Sequence, residues 1–458
     1  MSEPLPEKAF NLVYGLEEKV PPVPAALVSI QQVGAMVIGT ITPALILANV
    51  LKFKPEQTAY LVSMALIASA LGTFLQTMRF GGLVGSGLLS ITGTSFAFLG
   101  PLITAGFSGG LALMTGMGLA GTPVPLLLAP FLPKLKRVFT PLISGIVVLL
   151  IGLSLIPTGL MGIAKAPIEG APTWGGALVA LAVIAVMVVC QVAGKAWLRM
   201  GAVLVGVATG YTICAFLGWL QPPAAGTGAW VTLPQLFPNG FKFKWEFFLP
   251  FAFIYLLSVL EAMGDITATS QLSGLKTEGK DFWARMRGGI LADGLTCVAS
   301  ALTGAFPSAT YAQNNGVIQM TGVAARRIGW IMALILLALG LFPPVGRWIT
   351  VMPPCVLGAL AVVLFGLVAV SGLRIILSSG LSHRDALILA ISLGVGIGVP
   401  SQPEWLKTLP HWVQIFLESG VSAGGFVALV LNLVIPEDKK AEAAESTTTA
   451  AIVEASPS

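Results

Sequence analysis

Long apolar runs alternate with short polar breaks along the whole chain, and the run length sets the first prediction. A helix needs about 20 apolar residues to cross the hydrocarbon of a bilayer. Runs of that order lie at 26–50, 58–78, 82–105, 111–132, 138–156, 175–194, 200–219, 248–270, 287–305, 308–324, 328–347, 353–373, 385–400 and 418–435. The pattern predicts fourteen membrane segments. Two of them make poor helices. The run at 82–105 contains GLLSITGTSFAFLGP, and the run at 308–324 follows Pro307 and contains SATYAQNNGVIQMTG. Non-helical backbone at membrane depth is tolerated only where it is buried in protein or lines a water-filled cavity. The weak segments are third and tenth, so each is third in its half when the chain is divided after the seventh. Halves of seven segments have opposite orientations. Paired interrupted helices in corresponding positions of inverted halves point to a transporter's binding site.

Composition agrees and adds orientation. Of 458 residues, 55% are hydrophobic and 10% charged, with a mean hydropathy of +0.89. Soluble domains carry about 25% charged residues, so lipid must be the solvent for most of this chain. Eighteen of the 25 Lys and Arg fall on one side of the predicted topology and seven on the other. The richer side is cytoplasmic by the positive-inside rule, which puts both termini in the cytoplasm. Residues 1–25 are polar and lack the basic start and short apolar core of a cleaved signal. The stretch 220–247, with its Pro and Gly, reads as an external connection. The polar, repetitive residues 436–458 read as a disordered cytoplasmic tail. The net charge of +5 forms no aromatic-interleaved basic stripe, so nucleic acid is not an expected partner. Cys190, Cys214, Cys297 and Cys355 have no CxxC spacing and read as core residues. His383 and His411 read as interfacial. No metal site is expected.

Ionisable groups inside the apolar runs are few. Glu261 and Asp265 lie in FIYLLSVLEAMGDITATS, and Asp293 lies in GGILADGLTCVAS. Four residues apart, Glu261 and Asp265 share a helix face. Carboxylates in hydrocarbon are costly and mark substrate pathways or proton relays. A close pair makes a site that can be loaded with a proton, as a proton-coupled carrier requires. The bland alternative is an acid that only accepts hydrogen bonds from an unwound neighbour. That alternative is weak for mid-span Glu261 and about even for Asp265 and Asp293. A second constellation is Gln313-Asn314-Asn315-Gly316, followed by Thr321-Gly322. Side-chain amides donate and accept at once, which suits a flat heterocycle with alternating N–H and C=O edges. Tyr311 and Phe96 are placed to stack on such a ring. The bland alternative is that Gln313 and Asn314 only satisfy backbone freed by the break, an account that fits Asn314 better than Gln313.

The stretch QNxGxxxxTG at 313–322 resembles the signature of the nucleobase–ascorbate transporter (nucleobase–cation symporter-2) family. The resemblance runs through TPALI, GSGLLSI, LLSVLEAMGDITATS, ILADGL and YAQNNGVIQMTGVA, and is strongest to the bacterial xanthine permeases. It implies an all-α polytopic membrane fold of fourteen transmembrane segments in two inverted seven-segment repeats. Short strands interrupt segments 3 and 10. A core domain is then made by 26–132 and 248–347, and a gate domain by 138–219 and 353–435. The resemblance further implies a homodimer in the bacterial inner membrane and proton symport, with no cofactor besides the proton. Glu261 matches the substrate-binding acid and Gln313 the second side-chain anchor. Phe96 and Ala312 match backbone contacts to substrate. Asp265, Asp293 and Asn314 match polar positions needed for function, and Thr321 one that tunes specificity.

Two departures matter. The family's first segment has a Gln-His pair where this chain has Gln31-Gln32, and Gln32 cannot take up a proton near neutral pH. Coupling then falls to Glu261 and Asp265. The other is Ser95, which stands where xanthine-selective relatives have Asn and leaves more room beside the ring. The expectation is therefore a symporter that imports purine bases, xanthine and uric acid first, by alternating access. A uracil carrier is the nearest alternative, disfavoured by Gln313, since uracil carriers tend to have an acid there. A channel would need a continuous polar lining, and an anion carrier would not be expected to hold Glu261. The chain shows no nucleophile–base arrangement or phosphate loop, so no enzyme is expected.

Overall fold

The computed structural model describes residues 12–135, 140–165, 168, 171–192, 201–220, 231–311, 313–342, 344, 352–378 and 380–436. Most of these are helical. The principal helices are α1 (Pro22–Leu51), α2 (Pro55–Thr77), α3 (Leu99–Gly121), α4 (Pro123–Leu128), α5 (Pro141–Ala164), α6 (Thr173–Val192) and α7 (Ala202–Phe216). In the second half come α8 (Trp245–Leu272), α9 (Lys280–Thr303), α10 (Gln313–Thr321), α11 (Arg327–Leu341), α12 (Pro354–Ser378), α13 (His383–Gly398), α14 (His411–Glu418) and α15 (Gly420–Val434). Among the described residues, eight helices are long and apolar enough to cross a membrane. A ninth span is possible if the pair Trp412–Glu418 and Gly420–Val434, bent by 93°, is counted as one. The chain is a multi-pass membrane protein. The remaining predicted runs take other forms. Those at 200–219 and 328–347 hold the shorter α7 and α11, α9 opens on a charged turn, and 308–324 holds a strand and a nine-residue helix.

Helix ends follow local chemistry. Pro occupies the first turn of α1, α2 and α5, where its missing N–H costs nothing. At the start of α13, Ser382 Oγ accepts from Asp385 N at 3.1 Å, and Asp385 Oδ2 accepts from Ser382 N at 3.3 Å. The apolar runs at 82–105 and 111–132 part at Gly110, whose φ of 67° and ψ of −163° break α3. In lipid the hydrophobic effect does not drive helices together, and small residues that let backbones approach do so instead. The α5–α12 pair shows this. Gly145, Gly152 and Gly159, seven apart, face Gly372, Ala369 and Gly358, and a Cβ on Gly152 would lie 2.5 Å from Ala369 N.

The two weak segments meet at the centre. β1 (Thr92–Thr94) pairs antiparallel with β2 (Ser308–Thr310), with Thr92 opposite Thr310 and Thr94 opposite Ser308. Ser95 N donates to Pro307 O at 2.9 Å, and Tyr311 N donates to Ile91 O at 2.7 Å, extending the ladder at both ends. A ladder only two strands wide leaves outer edges that need partners in an apolar setting. Side chains of the packed helices supply them. Ser69 Oγ donates to Thr92 O, Thr92 N donates to Thr73 Oγ1 at 3.2 Å, and Cys297 Sγ donates to Ser308 O at 3.2 Å. All four cysteines are buried and free, but Cys297 therefore does more than fill the core. At the far end of α10, residues 12–16 run beside 322–326. Val13 N and Tyr14 N donate to Gly322 O at 2.8 and 3.1 Å, and Arg326 pairs with Glu17 at 2.7 Å. The predicted tail at 436–458 lies outside the described residues apart from Pro436.

Candidate functional site

The crossing of β1 and β2 brings most of the predicted site residues together. α8 carries Glu261 and Asp265 past the strands, one helical turn apart, and the structure separates their roles. Asp265 is 4% exposed and fully engaged. Ser90 Oγ donates to its Oδ2 at 3.2 Å, and Asn315 Nδ2 donates to its Oδ1 at 2.7 Å. Asn315 is held in turn, because Thr269 Oγ1 donates to its Oδ1 at 2.8 Å. Glu261 is only half-buried, and among the described residues no hydrogen bond reaches its carboxylate. One acid is thus tied into the scaffold, and the other has no such tie among the described residues.

Two further polar pairs flank the crossing. Asp293 on α9 accepts from Gln76 Nε2 at 2.8 Å, and the same Nε2 donates to Gly289 O at 2.8 Å. This pair ties α2 to α9. Asn314 Nδ2 donates to Gln32 Oε1 at 2.6 Å and to Gln32 O at 3.2 Å, tying α10 to α1. Both residues are fully buried. Gln32 therefore bridges to Asn314 with its acceptor oxygen. Gln32 Nε2, Asn314 Oδ1, Gln76 Oε1 and Asp293 Oδ2 are buried without partners, so each pair keeps unspent polar capacity that costs about 1–3 kcal/mol per group if never satisfied.

The aromatic residues form one wall. The Phe96 and Tyr311 rings lie nearly parallel, 13° apart in plane, with centroids 6.5 Å apart. Phe365 from α12 meets Phe96 edge-on at 5.2 Å. Tyr311 is less free than expected, since its hydroxyl donates to Thr94 O at 2.7 Å. That course is possible only because residue 93 is glycine. A Cβ there would overlap the Tyr311 ring and come within 2.7 Å of Thr40 Oγ1. Ser95, 2% exposed, keeps a hydroxyl with no partner. Thr321 closes α10, where its hydroxyl donates to Val317 O at 2.8 Å. Ala312 and the Gln313 side chain lie outside the described residues.

Sequence reasoning missed Gln76, Ser90 and Phe365 as partners of the site, and did not pair Asn315 with Asp265. Gln76 was detectable as an uncharged polar residue in an apolar run. Asn315 stood inside the amide cluster. Phe365 gave no signal, because one aromatic residue in an apolar helix is indistinguishable from core.

Residues 24–405 match the family model Xan_ur_permease, described as a permease family. The chain is 41% identical over 440 residues to the xanthine permease XanQ of Escherichia coli K12, covering 93% of this chain and 94% of that protein. It is 38% identical over 453 residues to the xanthine permease XanP of the same strain, covering 94% and 96%. Among solved structures, the murine Slc26a9 anion transporter in the inward-facing state superposes with a TM-score of 0.60 at 11% identity, over 91% of this chain and 69% of that one. That likeness concerns the fold alone. With the paired strands, the acid on α8 and matches over nearly its full length, the chain belongs to the nucleobase–ascorbate transporter family of permeases and is a transporter rather than an enzyme.

Proposed function

We propose that the protein is a proton-coupled symporter that imports purine bases, xanthine and uric acid first, across the bacterial inner membrane. The observation that carries this is the contrast between the two acids of α8. Asp265 spends both oxygens on Ser90 and Asn315, whereas Glu261 presents a half-buried carboxylate with no hydrogen-bond partner among the described residues. A protonated Glu261 can donate to a ring nitrogen or carbonyl, and an ionised one can accept from a ring N–H. Either exchange links proton occupancy to base binding. The names of XanQ and XanP support xanthine as cargo. The unpartnered Ser95 hydroxyl supports uric acid beside it, because it offers a hydrogen bond to one more ring oxygen.

The cycle is alternating access within fourteen segments arranged as two inverted repeats, with both termini cytoplasmic and two chains per assembly. The core domain, 26–132 with 248–347, holds the base between Glu261 and Gln313, with Phe96, Ala312 and Tyr311 around the ring. It moves against the gate domain, 138–219 with 353–435. Asp265, Asp293, Asn314 and Gln32 hold the site's shape, and Thr321 bears on specificity from the end of α10. The test is uptake of labelled xanthine, urate, guanine and uracil, with and without a protonophore. Xanthine and urate uptake should be saturable and collapse with the proton gradient. Glu261→Gln should abolish uptake while the protein still reaches the membrane. Retained uptake in that variant, or uracil as the preferred cargo, would refute the assignment.

A further inference from the structure

A cavity of about 180 Å³ lies between the α1–α3 side and the α5–α12 pair. Ile46 and Ile103 form one wall, and Leu357 and Ala361 of α12 the other. Its polar lining residues are Asn49, Thr158 and Lys165. Lys165 Nζ donates to Asn49 Oδ1 at 3.0 Å across the mouth. Lys165 is exposed and Asn49 half-buried, so the ammonium stands where the cavity meets solvent.

The cavity's floor connects it to the site described above. Ala361 and Phe365 are one helical turn apart on α12, about 6 Å along its axis. Phe365 is the ring that meets Phe96 edge-on. The Phe96–Phe365 pair therefore lies beneath the cavity and beside Tyr311. This pair thus stands between the cavity lining at Ala361 and the Tyr311 ring.

The chemistry of the lining selects a kind of occupant. Apolar walls suit the faces of a flat ring, and a cavity of about 150 Å³ already takes a molecule the size of benzene. The ammonium, with the Asn49 amide beside it, suits a polar edge with acidic N–H groups that shares or gives up a proton. Dioxo- and trioxopurines have both features. A cation at the mouth of a low-dielectric cleft also raises the local concentration of such a ligand.

We propose that this cavity is a second, transient site for the purine substrate, filled before the Phe96–Phe365 pair opens, with Lys165 as its specificity-determining residue. The proposal rests on the purine function argued above. An arriving base takes Lys165 from Asn49. That breaks the one described hydrogen bond across the mouth and frees the two sides to part.

Thiol protection tests it directly. The four native cysteines are buried, so Thr158→Cys gives a reporter inside the cavity, and Met161→Cys, at the exposed rim, gives a second. Right-side-out vesicles carrying either variant are treated with a membrane-impermeant thiol reagent, with and without xanthine. The same is done in a Glu261→Gln background, which cannot hold the base at the central site. Modification that xanthine slows in both backgrounds is the expected result. No modification at either position, no protection, or protection lost with Glu261→Gln each overturns the proposal. Lys165→Gln should raise the KM for xanthine about fivefold with little change in kcat, the effect of losing an exposed charge contact of ~1 kcal/mol, and Lys165→Arg should restore it. An unchanged KM removes Lys165 from the role. Xanthine uptake by the unmodified protein, measured first in the same vesicles, tests the purine function separately. Its absence overturns that function and this proposal with it, whereas intact uptake with unprotected thiols overturns this proposal alone.

Discussion

Asn315→Ala should show whether Asp265 belongs to the scaffold. In the native protein the Asp265 carboxyl takes one bond from Asn315 Nδ2 at 2.7 Å and one from Ser90 Oγ at 3.2 Å. The substitution removes the shorter bond and leaves Thr269 without its side-chain acceptor. A neutral hydrogen bond contributes about 1 kcal/mol and one to a charged group about 1.5–3 kcal/mol. The expected loss is therefore about 1–3 kcal/mol, or roughly fivefold to a hundredfold in the equilibrium that holds the site together. Ser90→Ala removes a longer bond from a hydroxyl and should cost less, about 1 kcal/mol or under. The two bonds end on different oxygens of one carboxyl, so the double variant should exceed the sum of the singles by leaving that carboxyl buried with neither bond. The assay is the thermal midpoint of the purified protein in detergent, read alongside xanthine uptake in cells at matched membrane levels. Asn315→Ala should lower both, and the midpoint should fall in the order double variant, Asn315→Ala, Ser90→Ala, wild type, from lowest to highest. A native midpoint for Asn315→Ala, or a larger fall for Ser90→Ala, would show that Asp265 is not held as described.

The remaining predictions test the other parts of the site. Gly93→Ala should abolish uptake, because its Cβ overlaps the Tyr311 ring and overpacking of this kind costs about 1–3 kcal/mol; near-native transport would mean that Tyr311 does not cross residue 93. Gln76→Leu should reduce uptake at least tenfold at matched membrane levels, since it strands the Asp293 carboxyl that Gln76 Nε2 now serves, and Gln76→Asn should recover little because it is one methylene too short. Gln32→His should introduce a new acid limb into the pH profile of uptake. Asn314 Nδ2 needs an acceptor there, which neutral imidazole supplies and imidazolium does not, so activity should be held above the ordinary histidine range near ~6.5 and lost as pH falls through it. A profile identical to that of the parent would show that the Gln32–Asn314 bridge is dispensable.

The class of the protein was legible because the bilayer imposes a length on every apolar run, and so were the two irregular segments, because Gly, Ser, Thr and Asn at that depth violate the rule. Glu261 stood out for the same reason. What could not be read was the division of labour between Glu261 and Asp265. Both are acids four apart on one helix, and only the arrival of Ser90 from one half and Asn315 from the other distinguishes them. Tyr311 shows a similar limit. Its aromatic character was visible, but its bond to Thr94 O depends on the register of β1 against β2, which no local pattern encodes. Phe365 shows the opposite case, since its importance comes wholly from the ring it meets.

The strand pairing also bears on how the protein is made. Residues 92–94 find their partners only at 308–310, more than two hundred residues later in synthesis. At about 5–20 residues per second, the ribosome needs roughly ten to forty seconds to supply β2. During that interval, β1 carries unpaired N–H and C=O groups at a depth where each costs several kcal/mol. Ser69 and Thr73 on α2 are already present and satisfy part of that backbone. The rest must stay wet, or in the translocation machinery, until the second half arrives. The first half of the chain therefore cannot be a finished membrane domain by itself. Coexpressed halves of this chain should each be degraded alone and accumulate together, with the six-residue sheet as the last joint to close.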